Sequence, residues 1–295
     1  MARTKQSKVP GSGDRRTTWT RFYLPREQDW PTWSATHLRP HRGPLSGVEG
    51  IKNVWLGRKV EDSEQAALII LWRTEDALKN FQDSPACEEF LQCLPRNDMK
   101  AALESGALLW DLSLDDSDGS SLAPVLPRFL SFRWVTGFGF EEDLQGRITL
   151  TVLVVPYTSD STPESSRSAM HSALRGAFSQ FWPRGCEDIH SLLTLTRFWK
   201  TWAIVDNKDA LLTSDPWQLG EQVGKGGDEG GRTVLCEFRQ WNGYAGATLE
   251  REEAAANSPL TRESWAQKLA EVMPPVTAWE QERWDVQLVP RKEEE

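Results

Sequence analysis

Residues 192–205 read Leu-Leu-Thr-Leu-Thr-Arg-Phe-Trp-Lys-Thr-Trp-Ala-Ile-Val, and their pattern sets the terms for the whole chain. The stretch is rich in aromatic, aliphatic and β-branched residues, the composition of a strand. Successive strand residues point to opposite faces of the sheet. Leu193, Leu195, Trp199 and Ala203 fall on one face, and Phe198, Trp202 and Ile204 on the other. A sheet with one wet face alternates apolar with polar residues. This strand instead asks to be buried on both sides. Helices can cover one face, so the other is expected to press against a second sheet.

The neighbouring sequence supplies the rest of such a unit. Residues 147–155 (RITLTVLVV) read as a strand, and residues 166–182 as a helix with Met170, Leu174, Ala177, Phe178 and Phe181 on one face. Pro183 stops that helix. Residues 233–241 alternate as a strand. Ser258-Pro259 then opens a helix with Trp265, Leu269, Val272 and Met273 along its apolar face, and a last strand spans 283–288. Ser suits the N-cap and Pro the first helical position.

The first half repeats this skeleton. Strands are expected at 19–24, 53–60 and 66–72, with a short helical piece at 30–38. A helix at 75–81 precedes Ser84-Pro85 and a second helix that presents Cys87, Phe90, Leu91 and Leu94. A strand at 108–114 closes the half. Trp110-Asp111 and Trp284-Asp285 mark the two closing strands, and residues 129–135 form an extra strand that bridges the halves. Each half approximates β-α-β-β-α-β, the ferredoxin-like order. The fold class expected is therefore α+β: two tandem ferredoxin-like repeats packed sheet to sheet as an intramolecular α+β barrel. The division runs as a disordered tail at 1–16, a first repeat at 17–114, an acidic Pro/Gly-punctuated linker at 115–127, a degenerate second repeat at 128–290, and a tail at 291–295.

Composition narrows the function. The chain has 295 residues, a net charge of −9, 39% apolar and 26% charged residues, with 15 Trp against 3 Tyr. This is a globular composition. The longest apolar run, 66–72, is too short to span a membrane, and the basic N-terminus lacks the apolar core of a secretory signal. Residues 1–60 carry 12 Lys/Arg and 4 Asp/Glu, a local excess of positive charge on an acidic chain. Without a zinc-finger, RNA-recognition or helix-turn-helix pattern, the excess is read as resting on the protein's own acidic body, not on nucleic acid. Residues 2–6 (ARTKQ) match the start of a histone tail, a coincidence too short to carry a role. Cys87, Cys93, Cys186 and Cys236 show no CxxC or His spacing, so they are read as reduced cytoplasmic thiols and no zinc site is expected. The Gly220–Gly231 region has the wrong spacing for a phosphate loop, and Lys225 is followed by Gly226 where Ser or Thr is needed. No GxSxG, HExxH or GxGxxG is present.

Residues 54–62 (VWLGRKVED), 68–72 (LIILW), 77–85 (ALKNFQDSP) and Phe90 resemble the antibiotic-biosynthesis-monooxygenase-like proteins of fungi. These belong to the dimeric α+β barrel, ferredoxin-like superfamily. The resemblance covers residues 50–94, and the second half departs from it: no Gly-acidic turn appears, and Trp265 is one position off the place of Phe90. It implies an enzyme of secondary metabolism without metal or organic cofactor, of monooxygenase, cyclase or dehydratase type, working on a hydrophobic aromatic or polyketide-like metabolite. The alternative is a non-catalytic binding or scaffold protein with the same barrel. As two halves within one chain, it would act as a monomer or weak homodimer.

Chemistry of that kind needs a base and donors for the oxyanion that forms. His titrates nearest neutrality, and His171 and His190 are the candidates placed near the expected cavity. Arg197, in phase with Trp199, is the candidate oxyanion partner, because a buried Arg needs an anion. Tyr157 and Tyr23 could donate to a ketone or enolate, and Trp199 and Trp72 could stack on the substrate.

Overall fold

A computed structural model describes residues 15–27, 43–94, 129–135, 144–156, 164–179, 181–186, 199–205, 232–241, 249–273, 275–276 and 278–289. In chain order these form β1 (Arg16–Tyr23), β2 (Ile51–Lys59), β3 (Gln65–Trp72), α1 (Glu75–Gln82), α2 (Pro85–Cys93), β4 (Phe129–Trp134) and β5 (Gly146–Pro156). Then follow α3 (Glu164–Ser179), β6 (Trp199–Val205), β7 (Arg232–Trp241), α4 (Leu249–Ala256), α5 (Pro259–Glu271) and β8 (Ala278–Leu288).

The eight strands close into one barrel in the order β1-β3-β2-β8-β5-β7-β6-β4. Every ladder is antiparallel. This corrects the expected fold class. The molecule is a closed eight-stranded antiparallel barrel with five α-helices among the described residues, not a tandem of ferredoxin-like α+β repeats with two sheets pressed together. A strand that is apolar on both faces does need two covers. Closure of a single sheet supplies the second one, from strands across the lumen. The sequence pattern alone does not distinguish these two covers.

The element boundaries follow the sequence more closely. β4 joins β1 to β6, as the bridging strand was expected to do. The expected linker, the closing strand at 108–114 and the helical piece at 30–38 lie outside the described residues. Val272 is buried at the end of α5, but Met273, expected beside it on the apolar face, is 73% exposed.

Three apolar clusters divide the interior. Inside the barrel lie Trp19, Trp55, Ile69, Phe132, Trp134, Leu150, Cys236, Phe238, Trp284 and their neighbours. Outside β1–β3, α1 and α2 bury Leu78, Phe81, Cys87 and Phe90 against Phe22, Leu68, Ile70 and Trp72. Outside β5–β7, α3 and α5 bury Leu174, Phe178, Trp265 and Leu269 against Leu153, Val155, Trp202 and Leu235. Each strand thus sends one side chain inward and the next outward. Thr74 caps α1 by accepting from the Ala77 amide at 3.1 Å. Ser84 and Ser258 stand at the N-caps of α2 and α5 with Pro following, but neither makes a side-chain cap bond.

Candidate functional site

β8 carries the sequence Ala-Trp-Glu-Gln-Glu-Arg-Trp-Asp-Val-Gln-Leu. Its period of two puts Glu280, Glu282, Trp284 and Val286 on the lumen face. Glu282 is 0% exposed, and burying a lone carboxylate would be prohibitive. The barrel solves this with three donors. Arg21, from the inward face of β1, makes two parallel bonds to Glu282, Nη1 to Oε1 at 3.0 Å and Nη2 to Oε2 at 2.9 Å. Lys59, the last residue of β2, places its ammonium 3.2 Å from Oε1. Trp284 Nε1 donates to Oε2 at 3.0 Å. Burial alone would push the Glu282 carboxyl up. The Arg21 and Lys59 charges and the donated hydrogen bonds outweigh it and hold the group down at about 2.

Glu280 lies one pleat repeat away on the same face and behaves oppositely. Burial pushes its carboxyl up, the Glu282 charge adds to this, and Lys59 and Arg21 only partly offset it. Tyr23, on the same face of β1 as Arg21, donates its hydroxyl to Glu64 Oε2 at 2.5 Å. That hydrogen bond, with burial and the Glu64 charge, pushes the phenol up to about 12. Arg21, Tyr23, Lys59, Glu280 and Glu282 therefore gather at the end of the barrel where β1 and β2 finish and β8 begins.

The lumen turns aromatic directly behind this polar end. The Arg21 guanidinium lies 5.1 Å from the centroid of the Trp284 ring. Trp284 packs over Gly57, where a Cβ would come within 3.3 Å of its ring. Trp19 meets Trp284 edge to face at 5.4 Å, Phe132 at 6.1 Å and Phe238 at 6.0 Å. Trp134 lies 4.9 Å from Phe238 and donates its indole N–H to Thr17 Oγ1 at 2.6 Å. Trp19 Nε1 is also buried, but no acceptor meets it among the described residues. Cys236 faces this region from β7, fully buried, with its thiol pushed up chiefly by burial.

Of the expected site residues, the three whose side chains are described, Tyr23, Trp72 and His171, do not converge. Tyr23 stands at the polar end. Trp72 points outward, packs 5.0 Å from Phe81 and donates Nε1 to Thr18 Oγ1 at 3.0 Å, so it belongs to the outer core. His171 is half-buried on α3, in the helix layer outside the barrel. Trp199 begins β6, with its side chain outside the described residues, as are Tyr157, His190 and Arg197 entirely. The residues that sequence reasoning missed are Arg21, Lys59, Glu280 and Glu282. The signal was available in β8: Glu280 and Glu282 are in phase with Trp284 and Val286, so two acids share a core face. Among the described residues no group of His, Cys, Asp and Glu could hold a metal ion. No helix among them is long and apolar enough to cross a membrane.

No protein-family model and no curated protein sequence matches the chain. Solved structures give distant likenesses. A "putative monooxygenase" from Lactobacillus acidophilus aligns at 7% identity and TM-score 0.36, covering 94% of this chain and 96% of that one. An anthrone oxidase-like protein aligns at 12% identity and TM-score 0.40, covering 95% and 93%. A "putative monooxygenase" from Fusobacterium nucleatum aligns at 6% identity and TM-score 0.38, covering 96% and 99%. Scores of this size do not establish a shared fold or a shared chemistry.

Proposed function

We propose that the protein is a cofactor-independent enzyme of secondary metabolism that abstracts a proton from a hydrophobic aromatic or polyketide-like small molecule at the polar end of its barrel. The observation that carries this reading is the split carboxylate pair. Glu282 is held ionised by Arg21 and Lys59, and Glu280 beside it is raised toward neutrality. Two acids whose surroundings drive them apart are the usual signature of assigned acid and base roles. A base works best when its pKa approaches the working pH, which is the direction in which Glu280 is moved.

In this reading Glu280 takes a proton from a carbon conjugated to a ketone and becomes neutral, while the electron pair moves to the ketone oxygen. Lys59 and Arg21 are the cationic groups close to where that oxyanion would form, whereas the Tyr23 hydroxyl is already committed to Glu64. Trp284 and the rings behind it offer an apolar surface for the substrate. Oxygenation, cyclisation or dehydration would follow from the enolate. The chain closes its own barrel, so a monomer or weak homodimer suffices.

Anthrone is a suitable probe, because its acidic methylene is conjugated to a ketone between two rings and its enolate is oxidised by O2 to anthraquinone and water. Wild-type protein is expected to accelerate anthraquinone formation over the spontaneous rate, and Glu280→Gln to lose about 10²–10⁴-fold. Wild-type protein that leaves the spontaneous rate unchanged, or E280Q that retains full activity, removes this assignment. A second reading, a non-catalytic binding protein, is favoured by the stacking of Trp19, Trp284, Phe132 and Phe238 across the mid-lumen. It would bind aromatic probes without converting them.

A further inference from the structure

The indole N–H of Trp19 is a fully buried polar group of the aromatic lumen cluster left without an acceptor among the described residues. Trp19 is 0% exposed, so no solvent reaches it. The neighbouring indoles are treated differently. Trp284 Nε1 donates to Glu282, Trp134 Nε1 to Thr17, and on the outer wall Trp72 Nε1 to Thr18 and Trp241 Nε1 to Thr149. Buried indole N–H groups usually find a partner, because leaving one unmade forfeits its hydration. Phe at position 19 would fill much of the same space without that penalty.

Trp19 also stands in the right place. It precedes Arg21 by two residues on the same face of β1, so it lies one pleat repeat, about 7 Å, deeper than the polar end. Its ring touches Trp284, whose own N–H is committed to Glu282. We propose that Trp19 Nε1 is a ligand-binding donor that takes an acceptor oxygen, such as a ring ketone, of the aromatic molecule entering past Arg21 and Glu280. This rests on the reading of the lumen as a small-molecule site. It deepens that reading by requiring the ligand to carry an acceptor on its buried edge. The competing account is an N–H contact with the face of the Trp284 ring, which the edge-to-face geometry would allow.

A matched pair of probes separates these accounts. 9-Fluorenone and fluorene share a skeleton, and only the ketone offers a strong acceptor. Titrations of ¹⁵N-indole-labelled protein would follow both affinities and the Trp19 cross-peak, identified as the one missing from the Trp19→Phe spectrum. Wild-type protein is expected to prefer fluorenone by about tenfold, the worth of one buried hydrogen bond. The Trp19 cross-peak should move with fluorenone and much less with fluorene, and W19F should bind both alike. Equal wild-type affinities, no binding of either probe, an unmoved Trp19 cross-peak, or a preference retained in W19F would each overturn the proposal. Should W19F not fold, the cross-peak is assigned through its Overhauser contacts with Phe132, Phe238 and Trp284, and its shift decides alone. Glu280→Gln should keep the preference. Wild-type protein that prefers fluorenone but does not accelerate anthrone oxidation would therefore sink the enzymatic reading and leave Trp19's role standing, and wild-type turnover without the fluorenone preference would do the opposite.

Discussion

Glu280 and Glu282 share a strand, a face and a charge, yet the protein treats them in opposite ways. The difference lies in their partners. Glu282 has the Arg21 fork, Lys59 and the Trp284 N–H, whereas Glu280 feels these cations at longer range and the Glu282 charge as a neighbour. Glu282→Gln would leave the buried Arg21 and the partly buried Lys59 without their counter-ion and is expected to destabilise the fold by about 3–5 kcal/mol, as read from urea unfolding. The pH dependence follows from the signs. Glu282 sits below its ordinary 4.5, so its contribution is complete above pH 4.5 and fades as pH falls toward 2. Glu280 is raised, so its carboxyl favours folding in acid, and that contribution is lost as pH rises past 4.5. E282Q should therefore flatten the acid limb of the stability profile. An unchanged acid limb in E282Q would refute the assignment.

Local elements were largely legible in the sequence, because their determinants are local. The apolar run of residues 66–72, the β-branched stretch 147–155, the Ser-Pro pairs, and Pro183 each act within one turn or one strand. What covers a two-faced strand is a long-range fact, and periodicity does not carry it. The site was legible only in part for a related reason. A search for His bases passes over an acid whose role comes from cations on β1 and β2, more than 200 residues away in sequence. Close contacts between elements were equally hidden. Gly50 turns into β2 with φ of 82°, and a Cβ there would fall 2.3 Å from the Ala77 Cβ on α1. Gly50→Ala is expected to cost ~1–2 kcal/mol for the left-handed backbone, with steric repulsion added. Ala77→Gly should therefore be less damaging in the G50A background than in wild type, by thermal unfolding of all four proteins. Strict additivity would show that the two positions do not press on each other.

At the scale of the molecule, closure makes the two halves mutually dependent. β2 pairs with β8, and β1 with β4, so strands from the first half are completed by strands from the second. A fragment of residues 1–128 would keep β1, β2 and β3 but leave both outer ladders unpaired and Trp19 and Trp55 uncovered. It is expected to lack the near-ultraviolet circular dichroism of a packed core, and to recover it on mixing with residues 129–295. A native-like spectrum from the first fragment alone would contradict this.

The free thiols carry a practical consequence. Cys87, Cys186 and Cys236 are buried and Cys93 is exposed. Burial also pushes Cys87 up to about 11, which keeps it from forming the thiolate that electrophiles attack. A maleimide dye should therefore alkylate the native protein once, on the last turn of α2, without any engineered cysteine. Loss of that selectivity on warming would give a direct count of how often the shell of helices comes away from the wall it covers.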